Sequence, residues 1–310
     1  MIISASRRTD IPAFYSDWFF NRLSEGFVYV KNPMNPHQIS KIVLSKSLVD
    51  CFVFWTKNPL QMMDKLDLLS DYHYYFQFTI TPYNDFFEPN LPPKTEIINT
   101  FKNLSNYVGL NRIIWRYDPI ILTNKYSIDY HFKAFKKLTA LLASYTKRCV
   151  ISFVDLYRKS KKNLTNIDLI PFSDNYMHEI ASCFVKIAND NGIELVSCSE
   201  KIDLNEHGIS HGKCIDDKLI EEISGYELDL SKDKTQRPEC GCVGSIDIGS
   251  YNTCPHGCLY CYANYDIEKV KLNFLDHDKS SPLLFGKINE NDNISNRKVQ
   301  SCRVIQQKFL

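Results

Sequence analysis

The 310-residue sequence has no long apolar run. Its longest, Cys51 to Trp55, falls far short of the roughly 18–20 residues that a membrane span requires, so no membrane partner is expected. It also has no excess charge of either sign. Thirty-seven Lys and Arg face thirty-six Asp and Glu, for a formal +1, which leaves no global field to draw in nucleic acid or an anionic membrane. Local basic groups such as Lys159 to Lys162 are short, and the charge balance argues against an extended nucleic-acid footprint. Internal repeats and low-complexity tracts are absent. So are the G-x-G-x-x-G, P-loop and G-x-S-x-G patterns, which removes support for nucleotide hydrolysis and serine hydrolase chemistry. The opening Met1-Ile2-Ile3-Ser4-Ala5-Ser6-Arg7-Arg8 has no apolar h-region, so a soluble protein of a reducing, cytoplasmic compartment is expected. Gly 11 and Pro 13 exclude collagen-like chains, and 44% hydrophobic residues supply a packed core.

What is present alternates. Apolar or aromatic runs at Met1–Ala5, Val49–Trp55, Tyr74–Ile80, Arg112–Arg116, Val150–Val154 and Ile193–Ser197 read as strands. Phe27–Val30 and Ile39–Leu44 read as a small ribbon. Helical periodicity falls at Phe14–Ser24, Leu60–Leu69, Thr95–Leu104, Tyr130–Tyr145 and Asp174–Asn189. The length admits two or three domains, but this alternation predicts one α/β fold, a βα barrel or partial barrel with parallel strands and right-handed crossovers. The barrel body is expected over 1–235, a cysteine-rich metal-binding segment with its leading strand over 236–264, and a polar tail over 265–310. Polar residues follow the strands: Arg7-Arg8-Thr9-Asp10, Thr56-Lys57-Asn58, Thr79-Ile80-Thr81, Arg116-Tyr117-Asp118, Asp155 and Ser197-Cys198-Ser199-Glu200. In a barrel these ring the C-terminal face, where the chemistry lies; solvated loop ends would give the same pattern at any one position.

The eleven cysteines are clustered. Five lie between Cys240 and Cys261, where even spacing would place fewer than one. Cys254-Pro255-His256-Gly257-Cys258-Leu259-Tyr260-Cys261 is a C-x3-C-x2-C triplet. Three thiolates so spaced can each take one iron of a 4Fe-4S cluster, leaving the fourth iron open to a small molecule. Structural zinc wants a closed set of four, which His256, Cys240 or Cys242 could complete. Cys198, Cys214, Cys240 and Cys242 form a candidate second site, for an additional Fe-S cluster or Zn; free thiols are the alternative. Cys51, Cys149 and Cys183 lie in apolar segments and read as core. Cys302 has no assignment.

The triplet with its aromatic, Cys254, Cys258, Tyr260 and Cys261, resembles the signature of the radical S-adenosylmethionine superfamily. The fuller string through Tyr262-Ala263 is most similar to the spore photoproduct lyase branch. That resemblance implies a 4Fe-4S cluster on the three cysteines, S-adenosylmethionine on the open iron and Tyr260 near the adenine. It also implies an external one-electron reductant such as a flavodoxin or ferredoxin, and a 5′-deoxyadenosyl radical that abstracts hydrogen from a substrate left unidentified. Members of the superfamily usually carry the triplet near the N-terminus. Here segments resembling those that follow it stand first, in the same order: Trp55-Thr56-Lys57-Asn58-Pro59, Phe78-Thr79-Ile80-Thr81 and Trp115-Arg116-Tyr117-Asp118-Pro119-Ile120-Ile121. The resemblance therefore implies circular permutation, with Gly244–Ile248 as the strand leading into the loop, beside the N-terminal strand. The chain from Ile2 to about Asn264 also resembles an uncharacterised bacterial domain-of-unknown-function family that opens Ile-Ser-Ala-Ser-Arg-Arg-Thr-Asp-Ile-Pro and closes on the cysteine string.

Arg7, Arg8, Lys57 and Arg116 are candidates to bind carboxylate or phosphate, and Asp10, Asp118 and Glu200 to hold hydroxyls or an amine; structural ion pairs are the competing reading. Lys57, Arg116 and Glu200 are the expected catalytic residues, and Tyr260, Arg8 and Asp10 the expected cofactor contacts. His37, His73 and His131 are expected at the surface or an interface. Two further functions compete with the radical enzyme. One is a non-catalytic metal-stabilised binding or electron-transfer protein; the other is nucleic-acid repair, which the charge balance opposes.

Overall fold

The computed structural model describes residues 1–155, 163–165 and 167–304; the basic group from Lys159 to Lys162 lies outside them. The elements in chain order are β1 (Ile2–Ala5), α1 (Ile11–Phe14), α2 (Ser16–Glu25), β2 (Phe27–Asn32), β3 (Asn35–Val43), β4 (Cys51–Thr56), α3 (Leu60–Met63), β5 (Tyr74–Thr79) and α4 (Lys94–Val108). They continue with β6 (Ile113–Ile120), α5 (Ile128–Leu142), β7 (Arg148–Phe153), α6 (Asp174–Asn189), β8 (Glu194–Ser197), β9 (Ser210–His211), α7 (Asp217–Ser224), β10 (Ile246–Asp247), α8 (Ile267–Leu275) and β11 (Asn293–Asn296).

Eight strands form one sheet in the order β10-β1-β4-β5-β6-β7-β8-β9, and every neighbouring pair is parallel. This is the α/β architecture that the alternation predicts. No pairing joins β9 to β10 among the described residues. A second, three-stranded sheet contains the expected β2–β3 ribbon, extended by β11.

The strands of the large sheet are apolar on both faces because both are covered, as parallel sheets require. Side chains alternate. Phe52, Phe54, Phe76 and Phe78 turn to one face and pack with α2 and α4 residues such as Phe19 and Phe101. Each such ring contributes roughly 1.5–3 kcal/mol through burial. Ile2, Cys51, Val53, Tyr75, Ile114, Val150 and Val196 turn to the other face, where Leu219 and Ile220 of α7 cover them together with Cys214, Cys240 and Cys242. Helix starts follow local chemistry: Ser127 caps α5, Ser173 caps α6 and Asp216 caps α7, each side chain accepting an orphan backbone N–H.

Two expectations need correction, the helix over Leu60–Leu69 and the place of His131. The former is broken into α3 and a 3-10 turn at Leu66–Leu69. The polar stretch from residue 265, where it is described, packs on the body of the fold. Asp50 binds the N-terminal ammonium, the Ser301 hydroxyl and the Cys302 amide, while Leu283 and Leu284 are buried. His131 is not at the surface; it is fully buried, its ring between the Tyr117 hydroxyl at 2.7 Å and the Ile121 carbonyl at 2.9 Å.

Candidate functional site

With all eight strands parallel, their carboxyl ends share one edge of the sheet, the position at which open α/β sheets hold their ligands. Strand β10 pairs with β1, Ile3 opposite Ile246 and Ser4 opposite Asp247, so the cysteine loop leaves the sheet at this edge. Asp247 fixes the departure. Its carboxylate accepts from Ser4 Oγ at 2.8 Å, Ser6 Oγ at 2.5 Å, Arg7 N at 2.9 Å and Gly249 N at 3.0 Å. The loop then closes on itself: Asn252 N donates to Ala263 O at 2.9 Å, and Asn264 Nδ2 to the Cys254 carbonyl.

Two carboxylates anchor the loop between those ends. Asp10 is buried; its Oδ1 caps α1 at Ala13 N, 3.0 Å, and its Oδ2 meets the Lys57 amide at 2.7 Å and His256 Nε2 at 2.8 Å. Glu88, 1% exposed, accepts from Lys57 Nζ at 2.7 Å and Thr81 Oγ1 at 2.6 Å, and also from Lys94 Nζ and the Tyr260 hydroxyl. Burial pushes the Glu88 carboxyl up, but Lys57 and Lys94 outweigh it and hold it at about 2. The segment after β5 completes the clasp: Asn90 Nδ2 donates to Pro255 O at 2.8 Å and Leu259 N to Phe87 O at 3.0 Å. Gly257 has φ +71, and a Cβ there would meet Pro89 Cγ at 3.1 Å and Asn90 Nδ2 at 3.2 Å.

Within this frame Cys258 is buried, while Cys254 and Cys261 are partly exposed. Burial pushes all three thiols up, Cys258 to about 12 against the pull of Lys57 and Lys94. The backbone N–H groups that oppose this point at sulfur: His256 toward Cys254, and Ala263 and Asn264 toward Cys261. Such thiols stay protonated until a metal displaces the proton. Among the described residues, the group of three His, Cys, Asp or Glu whose donor atoms all lie within 4.8 Å of one another is His178, Glu206 and His207. The three triplet sulfurs do not all stand within 4.8 Å of one another, so they do not form the closed shell of a single zinc, in which Zn–S bonds of about 2.3 Å bring sulfurs within about 4 Å. The residues fit a 4Fe-4S cluster by donor chemistry, by the N–H groups aimed at sulfur and by the two lysines beside Cys258.

The other expected site residues are distributed around the same edge. Arg8 lies over the Tyr251 ring at 5.2 Å and, with Arg7, Ser245, Asp247 and Arg297, lines a cleft of about 630 Å³ beside β10. The Lys57 ammonium is committed to Glu88 and lies 5.5 Å from the Tyr260 ring centre. Arg116 is buried and donates to Asp118, to Gln77 Oε1 at 3.3 Å and to Cys214 Sγ at 2.8 Å, so it belongs with the second group of cysteines and not with the triplet. Glu200 accepts the Phe153 amide at 2.8 Å, and burial, with Asp155 and Asp118 nearby, pushes its carboxyl up to about 8. Such an acid holds a proton at neutral pH. Cys198, Cys214, Cys240 and Cys242 come together on the α7 face; Cys51 and Cys149 are core and Cys183 is half-buried.

Sequence reasoning missed Glu88 and Lys94, which follow β5 at no strand end and belong to no motif. It also missed the pairing of His178 with His207, whose ring nitrogens lie 3.0 Å apart with Glu206 beside them. Twenty-nine residues separate the two histidines, a spacing that carries no ligand signal.

The family model described as Domain of unknown function (DUF1848) matches residues 2–263, from β1 to the end of the cysteine loop. No curated protein matches the chain.

Proposed function

The chain belongs to the DUF1848 family, and from the geometry of its cysteine loop we propose that it is an iron–sulfur enzyme of the radical S-adenosylmethionine type. Cys254, Cys258 and Cys261 would hold a 4Fe-4S cluster whose open iron takes S-adenosylmethionine. When bound, this pair supplies a 5′-deoxyadenosyl radical for hydrogen abstraction once a flavodoxin- or ferredoxin-like reductant delivers an electron.

The observation that carries the reading is the parallel pairing of β10 with β1. It sets the strand that feeds the triplet first in the spatial order β10-β1-β4-β5-β6-β7-β8, although it comes last in the chain. This supports a circularly permuted partial barrel with the cysteine loop after its first strand. The protein's own residues supply the rest. Asp10 and Glu88 hold the loop through His256 and Tyr260, Lys57 and Lys94 place positive charge beside Cys258, and Arg8 offers a guanidinium to an anionic group in the cleft beside β10.

Anaerobic reconstitution followed by electron paramagnetic resonance tests this. We expect a reducible 4Fe-4S signal that changes on addition of S-adenosylmethionine and is lost in C254S/C258S/C261S. A signal indifferent to the cofactor, or stoichiometric zinc without sulfide, overturns the reading and favours a metal-stabilised binding or electron-transfer protein.

A further inference from the structure

Four cysteines that the triplet does not use come from three separate segments and meet at one point. Cys198 follows β8, Cys214 precedes α7, and Cys240 and Cys242 lie on the approach to β10. Their sulfurs form a chain: Cys198 Sγ lies 3.1 Å from Cys214 Sγ, Cys214 reaches Cys242, and Cys242 reaches Cys240. All four are free thiols. Cys214, Cys240 and Cys242 are each at most 6% exposed.

The surroundings are those of an anionic sulfur centre. The buried Arg116 guanidinium donates to Cys214 Sγ at 2.8 Å, and the Arg7 guanidinium is close enough to feel both Cys214 and Cys242. Two backbone N–H groups, of Cys214 at 3.3 Å and Ile215 at 3.4 Å, point at Cys242 Sγ. Arginine placed on sulfur is wasted on a neutral thiol, which accepts hydrogen bonds weakly. The Cys214 segment is anchored to the sheet: Tyr75 Oη and Gln77 Nε2 both donate to the Cys214 carbonyl, at 2.7 and 3.0 Å.

We propose that Cys198, Cys214, Cys240 and Cys242 bind a second iron–sulfur cluster, ligated entirely by protein, on the α7 face of the sheet. Neighbouring sulfurs touch along the chain but no three lie mutually within 4.8 Å, so they form a row and not the closed tetrahedron of one zinc. Four thiolates leave no open iron, so this centre binds no substrate. It ties the segments after β8, before α7 and before β10 to one another. Arg116, in this reading, is the counter-charge of the second centre.

The site is independent of the triplet, and the test keeps the two apart. The full chain, C254S/C258S/C261S and C198S/C214S/C240S/C242S are each reconstituted anaerobically with ferrous iron and sulfide, then assayed for iron, sulfide, zinc and visible absorption. We expect the triplet variant to keep about half of the wild-type iron and sulfide, in a dithionite-bleachable chromophore that ignores S-adenosylmethionine. The triplet variant alone decides the matter if the fourfold variant does not fold. Complete loss of iron from the triplet variant, stoichiometric zinc without sulfide, or a Cys198–Cys214 disulfide in its place overturns the proposal. Failure of the S-adenosylmethionine reading would show instead as an unresponsive signal from the triplet.

Discussion

His256 and Asp10 meet at 2.8 Å across 246 residues of chain, and the carboxylate oxygen that binds His256 also takes the Lys57 amide at 2.7 Å. One side chain thus joins the cysteine loop, the end of β4 and, through its other oxygen, the start of α1. Replacing Asp10 by Ala removes a helix cap, worth about 1 kcal/mol, and leaves buried donors without acceptors at about 1–3 kcal/mol each. We expect urea unfolding to show D10A destabilised by about 3 kcal/mol and H256A by about 1–2 kcal/mol. Both variants should surrender iron to a chelator faster than wild type. Wild-type iron release in H256A would mean that this contact does not hold the loop.

Glu88 is a carboxylate that Lys57 and Lys94 share, and both ammonium groups bind it directly. Neutralising it strands two cations beside Cys258. Removing one partner of a buried pair costs about 3–5 kcal/mol, so E88Q should be strongly destabilised. The double variant E88Q/K57M should lose less than the sum of the single changes, since the second substitution removes one of the stranded charges. Additive losses in a denaturant double-mutant cycle would mean that the Lys57–Glu88 contact has no energetic weight.

His131 sets a pH dependence. Burial holds its imidazole down at about 4, with the Ile121 carbonyl as the opposing influence, against an ordinary value of 6.5. Between those values the unfolded chain takes up a proton that the folded chain refuses. Its contribution is therefore fully present above pH 6.5 and is lost as pH falls from 6.5 toward 4, by about 3 kcal/mol in all. Urea midpoints measured from pH 7 to pH 4 should fall less steeply in H131Q than in wild type. Equal slopes would show that His131 does not carry the effect.

The major strands and the bounds of α6 could be read from apolar runs and helical periodicity, whereas the place of β10 beside β1 is expected only from the family resemblance. The triplet stood out because three sulfurs in eight residues have few structural uses. His131 carried a signal that was passed over: His131, Phe135, Leu138 and Leu142 share one helical face, and a ring satisfied by Tyr117 and Ile121 can sit there without cost. Strands β9 and β10 have two residues each, too few for any periodicity. Helix α7 went unassigned and the residues beyond Asn264 read as a polar tail because they pack only a narrow stripe, Leu219 and Ile220 in one case and Val270, Leu283 and Leu284 in the other. Glu88 could not be found from sequence, since its role follows from the lysines and tyrosine that the fold brings to it.

Gly249 offers the sharpest test of how the cysteine loop rests on β1. A Cβ at this position would meet Ser6 Oγ at 2.2 Å, Ser6 Cβ at 2.5 Å and Thr9 Cγ2 at 3.0 Å. Ser6 cannot easily yield, because its hydroxyl donates to Asp247 and accepts from Arg8 N at 2.9 Å. Gly225 makes a useful comparison: it ends α7 at φ +75 with nothing within 4 Å of its missing Cβ, so G225A should cost only the left-handed backbone penalty, about 1–2 kcal/mol. At Gly249 the cost is overpacking, about 1–3 kcal/mol, and the relief available is displacement of the loop that carries Cys254. G249A should therefore lose iron faster than wild type, whereas G225A should lose stability alone. Adding S6G removes the two closest atoms, so G249A/S6G should be less destabilised than the two single changes combined. Additivity in that cycle, with iron retention unchanged in G249A, would mean that the loop does not bear on Ser6.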